Sequence, residues 1–574
     1  MRPLRLIMIA LFLVAAALPV AAQTYTTADT LTVIQKPLLN IPSLVRPGDS
    51  LPISCDADPS TTGWTASLVR GALDIPLTIN SATYDSSTLW WTLDCNAPEV
   101  PIYDMYNLRV TADGGIDDTV NHAVKVIPAF RDTFEVIHIT DTHLPTYLYY
   151  DQTGALTDST TSMNLRVITR DVNIINPEFV LLTGDLVNEG ELEDFLGAKY
   201  YSRAVMHLNE FAVPVFLTSG NHDLGGWVDT PPSDGTARRD WWKFFGWKRL
   251  DNPPPGAPAH TQDYSFDYGP IHFTGLEAYN NYDEWKYEIY GSDSFTADQL
   301  AWLDQDLAAS SGSSRHVIFH HRDFQNQLNL NALGVDLSLS GHIHSDVDDY
   351  TYPMDISTDN AGGSNRPFRL VRFSGTTIDP RPTLSAENEG TLAVTYTPDN
   401  DGTAIEVTAT VHNGYPEAFP HGLLRINMPG GADYEAFGGT LTQVDDTGAH
   451  AVCYVEVPLP GYSDVTVSVR ADTTHISSVP ASAVTGSLGV HPNPFNPRTE
   501  ISFELLRDTS CRLTIFDVRG REIAVLVDGL RPAGRQTVIW DGRNDAGCSV
   551  PSGMYLVGLR AGSYTEARKL LLAR

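Results

Sequence analysis

The chain has 574 residues, too many for one hydrophobic core, and a prior of roughly 100–200 residues per domain predicts three to five domains. Its 38 Lys+Arg against 70 Asp+Glu leave a formal charge of −32, which disfavours bulk nucleic-acid binding through a basic surface. A nucleotide in a metal-lined pocket stays possible, because the ions supply the positive charge.

Met1-Arg2-Pro3-Leu4-Arg5 is a positive stretch, Leu6 to Val20 is apolar, and Val20-Ala21-Ala22 fits a small-residue cleavage site. That pattern predicts a secretory signal over 1–22 and a secreted, extracellular or cell-surface protein starting at Gln23. No later run approaches ~20 apolar residues, so no transmembrane segment is expected. Export permits disulfides. Cys55–Cys95 and Cys511–Cys548 are candidate pairs, with Cys453 left as a buried thiol, but spacing does not decide the pairing.

Residues 23–130 read as an immunoglobulin-like β-sandwich, from β-rich runs such as Trp90-Trp91-Thr92-Leu93 set between Gly, Pro, Asp and Ser turns. From 131 to 385 strand-like runs alternate with helical ones, which predicts a layered α/β core. Strands are expected at 134–140, 178–182, 214–218, 315–319, 335–339 and 369–373. Helices are expected at 163–175, at 191–211, and from a Thr296/Gln299 capping box to about Ala308. The segment 224–263, with Trp227, Trp241, Trp242 and Trp247, is either a lid or an excursion packed by its own aromatics. Residues 386–480 predict a second β-sandwich and 484–574 a last β module.

Five motifs follow predicted strands in fixed order: Asp141-Thr-His143, Gly184-Asp185, Gly220-Asn221-His222-Asp223, His320-His321, and Gly341-His342-Ile-His344. Ends of strands in open sheets are where sites form. Asp141 and His143 can face one ion. Asp185 can bridge two ions through its two oxygens. Asn221 offers a carbonyl oxygen, and His342 and His344 offer imidazoles. His222 can face a substrate, held by Asp223 through its other ring nitrogen. Such a set suits a two-metal centre that clamps the attacking and leaving oxygens at phosphorus. The acidic run Asp346, Asp348 and Asp349 is either a solvated loop or a further cation site.

Over 131–385 these motifs resemble the calcineurin-like metallophosphoesterase superfamily. The resemblance implies a four-layer core, two β-sheets flanked by helices, and two divalent ions (Mn, Fe, Zn or Mg). Asp141, His143 and His344 would hold one ion and Asn221, His320 and His342 the other, with Asp185 bridging and His222 catalytic. A water activated between the ions would attack a phosphomonoester or phosphodiester. The alternatives are a cyclic-nucleotide or nucleotide phosphodiesterase, and a non-catalytic β-rich surface binder that retains the metal site. Two departures stand out. Asn188 occupies the place of the purple acid phosphatases' tyrosine, and His320-His321-Arg322 replaces the usual His-x-Pro. His321 is therefore the alternative ligand, and Arg322 and Asn188 are candidates for substrate contact. The last module, with Pro492-Asn-Pro-Phe-Asn-Pro497, Trp540-Asp-Gly542 and Gly553-Met-Tyr555, resembles type IX secretion sorting domains and the Ig-like domain of flagellar hook-capping proteins. That resemblance implies secretion machinery or surface attachment as a partner.

Overall fold

A computed structural model describes residues 32–573 except 145–148, 151–155, 158–159, 189–193, 225–240, 242–243, 248–255, 257–260, 279–293, 387–390, 449, 473–483, 506–508, 518–520, 533, 545–546 and 562–563. The expected signal segment and most of the tryptophan insert, including Trp227 and Trp242, lie outside the described residues.

Two six-stranded sheets form the centre of the chain. In the first, Val215–Thr218, Phe179–Thr183 and Thr133–Ile139 run parallel, and Pro367–Ser374 joins Thr133–Ile139 antiparallel. In the second, Ile271–Leu276, Arg315–His320, Leu337–Ser340 and Met354–Ser357 run parallel, edged by Tyr264–Tyr268 and Val347–Asp349. Phe179-Val-Leu-Leu-Thr183 and Leu337-Ser-Leu-Ser340 are buried at every position, the signature of strands covered on both faces. Phe134, Val136, Phe179 and Phe216 from the first sheet meet Phe273, Val317 and Phe319 from the second in one apolar core.

Helices Thr160–Ile175 and Asp194–Leu208 cover the first sheet, packing Leu165, Ile168, Val172, Tyr201 and Ala204 onto it. Helix Ala297–Ala309 covers the second through Leu303 and Leu307. Its expected capping box is formed: Gln299 N donates to Thr296 Oγ1 at 3.1 Å and Thr296 N to Gln299 Oε1 at 2.8 Å. The layers are those the sequence predicts, with element ends moved by one to three residues. Trp241 and Trp247 are buried in the core, so these two rings of the insert serve packing.

Three pairs of sheets accompany this core, antiparallel but for the parallel pairing of Ser43–Val45 with Ile116–Val126. The first spans Ile34–Val126, the second Leu392–Asp472 and the third Val484–Leu572. Leu217 N donates to Asn40 O at 3.0 Å, tying the first pair to the core, and further polar contacts tie the second. Tyr415 donates to Asp171 at 2.7 Å, Arg372 bridges Glu135 and Glu417 at 2.8 Å each, and Arg131 joins Glu178 at 3.0 Å and Glu456 at 2.7 Å. The five cysteines are free thiols. Cys55 sits opposite Trp91 in the ladder, so Cys95 lies four residues further along, on the order of 13 Å away and too far to bridge.

Behind the second sheet His272 lies between Asp267 at 2.7 Å and Asp306 at 2.9 Å. Burial opposes its charge, but the two carboxylates outweigh it and raise its pKa to about 9. The raised value stabilises the fold fully below the unfolded pKa of about 6.5, and that contribution is lost as pH rises through about 9. We expect wild type to exceed His272→Gln in denaturant midpoint at pH 7, with the gap closing near pH 10. An unchanged gap at pH 10 would refute the ion-pair account.

Candidate metal centre

The five motifs lie at the C-terminal ends of strands from both sheets, and the turns that carry them are strained. Asp141, His143, Asp185, His342 and His344 have φ of 52°, 44°, 49°, 71° and 50°. Such left-handed residues cost about 1–3 kcal/mol each and persist only where the surroundings enforce them. Glycines make room for the turns. A Cβ on Gly184, itself at φ 77°, would lie 2.7 Å from Gly220 N and 2.8 Å from His321 Nδ1. A Cβ on Gly341 would collide with Thr140 and Asp141, and one on Gly220 with Asp185.

Hydrogen bonds tether one oxygen of each key carboxylate and leave the other aimed inward. Asp141 Oδ2 accepts from Thr140 Oγ1 at 2.7 Å and His342 N at 2.9 Å. Its buried Oδ1 accepts no hydrogen bond and faces His344 Nε2 at 3.2 Å and His143 Nε2 at 3.7 Å. Asp185 Oδ1 accepts from His222 N at 2.9 Å, while Oδ2 faces His321 Nε2 at 3.2 Å and His143 Nε2 at 3.9 Å. Oδ2 thus faces both groups of ligands, while Oδ1 is tethered to the His222 backbone.

The imidazoles crowd together. His143 Nε2 and His344 Nε2 are 3.1 Å apart; His321 Nε2 is 3.2 Å from both His342 Nδ1 and Asn221 Oδ1. Ligands at 2.0–2.1 Å from one ion stand roughly 2.9–3.4 Å from each other, so these spacings fit shared cations. Asp141, His143 and His344 form one group and Asp185, His321 and His342 another, with His143 also near Asp185 and His222. The residues present fit two metals.

The expected ligand His320 lies outside the cluster, and its neighbour His321 lies within it. Successive residues of a strand point to opposite faces. His321 is fully buried in the cluster, its Nδ1 hydrogen-bonded to Thr183 O at 2.7 Å, so Nε2 keeps its lone pair for the cluster. His320 points to the other face, with Nε2 on Ser338 Oγ at 3.2 Å. Arg322, the candidate for substrate contact, lines a small separate cavity with His320, Asp323 and Asp355.

Asp223 also departs from expectation. Its carboxylate does not hold His222; Oδ1 accepts from Val187 N at 3.0 Å and Oδ2 from Gly220 N at 2.9 Å. It latches one motif turn to another. His222 is oriented instead by the backbone carbonyl of Asn188, 2.5 Å from Nδ1. Asn188 was visible in the sequence only as a side chain, and a carbonyl has no sequence signal. An amide in place of Asp223 keeps one acceptor and sets an NH2 against a backbone N–H. Asp223→Asn is therefore expected to lower stability by about 1–3 kcal/mol, measured by denaturant unfolding.

Charge completes the site. Burial disfavours ionised Asp141, yet His143 and His344 hold its pKa well below the usual range. Burial likewise opposes a charged His321, but Asp185 raises it to about 9. The field that draws a proton onto His321 also attracts a cation. Asp346 and Asp348 are not a further cation site: both pair with fully buried Arg369, at 3.1 Å and 2.9 Å.

Residues 134–346 match the family described as calcineurin-like phosphoesterase, and 494–564 match the FlgD Ig-like domain. No curated protein matches the chain. Among solved structures it is similar to a purple acid phosphatase from yellow lupin (Lupinus luteus) seeds, at 12% identity and TM-score 0.35, covering 64% of this chain and 70% of that one. A dimetal phosphatase from Danio rerio follows at 14% identity and TM-score 0.33, covering 44% and 99%. A calcineurin-like phosphoesterase from Bacillus subtilis has 11% identity and TM-score 0.28, covering 44% and 91%. The family match and the clustered carboxylates and imidazoles together make the central domain a calcineurin-like phosphoesterase and the protein a metal-dependent phosphoric ester hydrolase.

Proposed function

We propose that this chain is an exported hydrolase of phosphomonoesters or phosphodiesters, and that Asp141, His143 and His344 hold one cation and Asn221, His321 and His342 the other. The observation that supports it most is the convergence of Asp141 Oδ1, Asp185 Oδ2 and four imidazole nitrogens on one cluster. Two divalent cations bound there supply Lewis acidity and a nucleophile from water at neutral pH. Asp185 Oδ2, facing both groups, shares its charge between them. His222 presents Nε2 to the substrate and donates a hydrogen bond to the leaving oxygen as charge develops. The Asn188 carbonyl accepts from Nδ1–H, so Nε2 donates once it has taken up a proton in the complex.

Export rests on the amino-terminal signal pattern, and surface attachment on the likeness of the last module to sorting domains. Among the described residues no helix is long and apolar enough to cross a membrane.

The test is hydrolysis of p-nitrophenyl phosphate and bis-p-nitrophenyl phosphate by the mature protein with Mn, Zn or Mg. Metal-dependent turnover abolished by Asp185→Asn supports the assignment, and the ratio of the two rates selects the ester class. Two bound ions without turnover on either ester would point to a metal-retaining binder.

A further inference from the structure

Remote from the metal centre, the first sandwich, the catalytic domain and the second sandwich together enclose a cleft of about 630 Å³. That volume lies within the 300–1,000 Å³ of ordinary small-molecule sites, which favour domain junctions. Arg425 stands in its wall; its guanidinium makes no hydrogen bond or ion pair to a described residue and lies 5.4 Å from the Tyr454 ring centroid. The other guanidinium there, Arg70, is already held by Asp104, Asp445 and Tyr454. Asp104 pairs with Arg70 at 3.1 Å and Lys125 at 3.5 Å; Arg425 feels its charge from further off but makes no ion pair with it.

A second feature points to the same space. His122 lines the cleft on a left-handed backbone, φ 49°, and its buried Nδ1 has no partner. Its own N–H donates to Asn107 Oδ1 at 3.0 Å, which fixes that amide with its NH2 spare. Asn427 donates its NH2 to Asn400 O at 2.8 Å, which leaves its oxygen as an acceptor. The cleft thus offers one unpaired planar cation, one spare donor, one spare acceptor and an imidazole. Val69 adds apolar surface. A planar guanidinium takes a carboxylate or phosphate bidentately, and flanking amides suit hydroxyl groups.

We propose that this cleft binds a small hydroxylated anion, a sugar carrying a carboxylate or a phosphate, with Arg425 anchoring its charge. The site is independent of the catalytic assignment, since it uses none of the metal-centre residues.

The experiment is calorimetric titration of the full mature chain carrying Asp185→Asn, which blocks turnover, with glucuronate, glucose 6-phosphate and neutral glucose. Saturable binding of at least one anion, with glucose at least ten-fold weaker, is expected. Arg425→Gln should weaken it ten-fold or more, and Arg425→Lys less. Hydrogen exchange on the chain without the Arg425 change localises the site even if that variant folds poorly: protection is expected at 104–109, 122–126 and 425–428. Binding of one anion alone through these segments supports the proposal and selects the acid group. Protection at 183–188 and 341–344 instead, equal binding of glucose, or no binding of either anion would overturn it.

Discussion

His321→Ala should remove the second cation and lower kcat on phosphoesters by on the order of 10³-fold, whereas His320→Ala should leave both metal content and kcat near wild type. The magnitude follows from the several kcal/mol of transition-state charge stabilisation a cation supplies, at about 1.4 kcal/mol per tenfold in rate. The contrast follows from geometry. His321 Nε2 is 3.2 Å from Asp185 Oδ2 and from Asn221 Oδ1, while His320 Nε2 is spent on Ser338. Metal analysis beside kinetics separates the outcomes. A His320→Ala protein that loses one equivalent of metal while His321→Ala retains two would reverse the ligand assignment.

This pair of adjacent histidines shows where the sequence stops being legible. The motif order, the strands before each motif and the glycines inside them were readable, because burial and chain reversal demand particular residue types locally. Leu337-Ser-Leu-Ser340 and Gly341 announce a buried strand followed by a tight approach, and the approach is there, against Thr140 and Asp141. Which of His320 and His321 faces inward depends on strand phase at its last residue. A one-residue change of phase inverts the face, and nothing local fixes it once His-x-Pro is absent. Asp223 failed for another reason. Its neighbour His222 suggested a side-chain pair, but the helical turn Asn221–Leu224 aims the carboxylate back at Gly220 N and Val187 N. The groups that orient His222 and His321 are the carbonyls of Asn188 and Thr183, and every residue carries a carbonyl. The cleft holding Arg425 was illegible too, since its walls come from segments over 300 residues apart.

His222→Ala should lower kcat by about 10²–10⁴-fold, the usual worth of a positioned proton donor, while two metals stay bound. The ring is no part of the tethering of Asp185: it is the backbone N–H of residue 222 that holds Asp185 Oδ1 at 2.9 Å, and alanine keeps that N–H. The substitution thus removes the ring and spares the carboxylate. Burial holds the His222 pKa below its ordinary value, opposed by the Asp185 carboxylate, so the bare ring is neutral near pH 7. It would then act as a hydrogen-bond donor only if Nε2 gains a proton in the complex, where an anionic phosphoryl group favours it. The leaving group reports on this. With p-nitrophenolate, which departs without a proton, the loss should be smaller than with an alkyl ester of phosphate. Equal losses on both esters would assign His222 to charge stabilisation of the phosphoryl group, and loss of one metal would assign it to the ligand set.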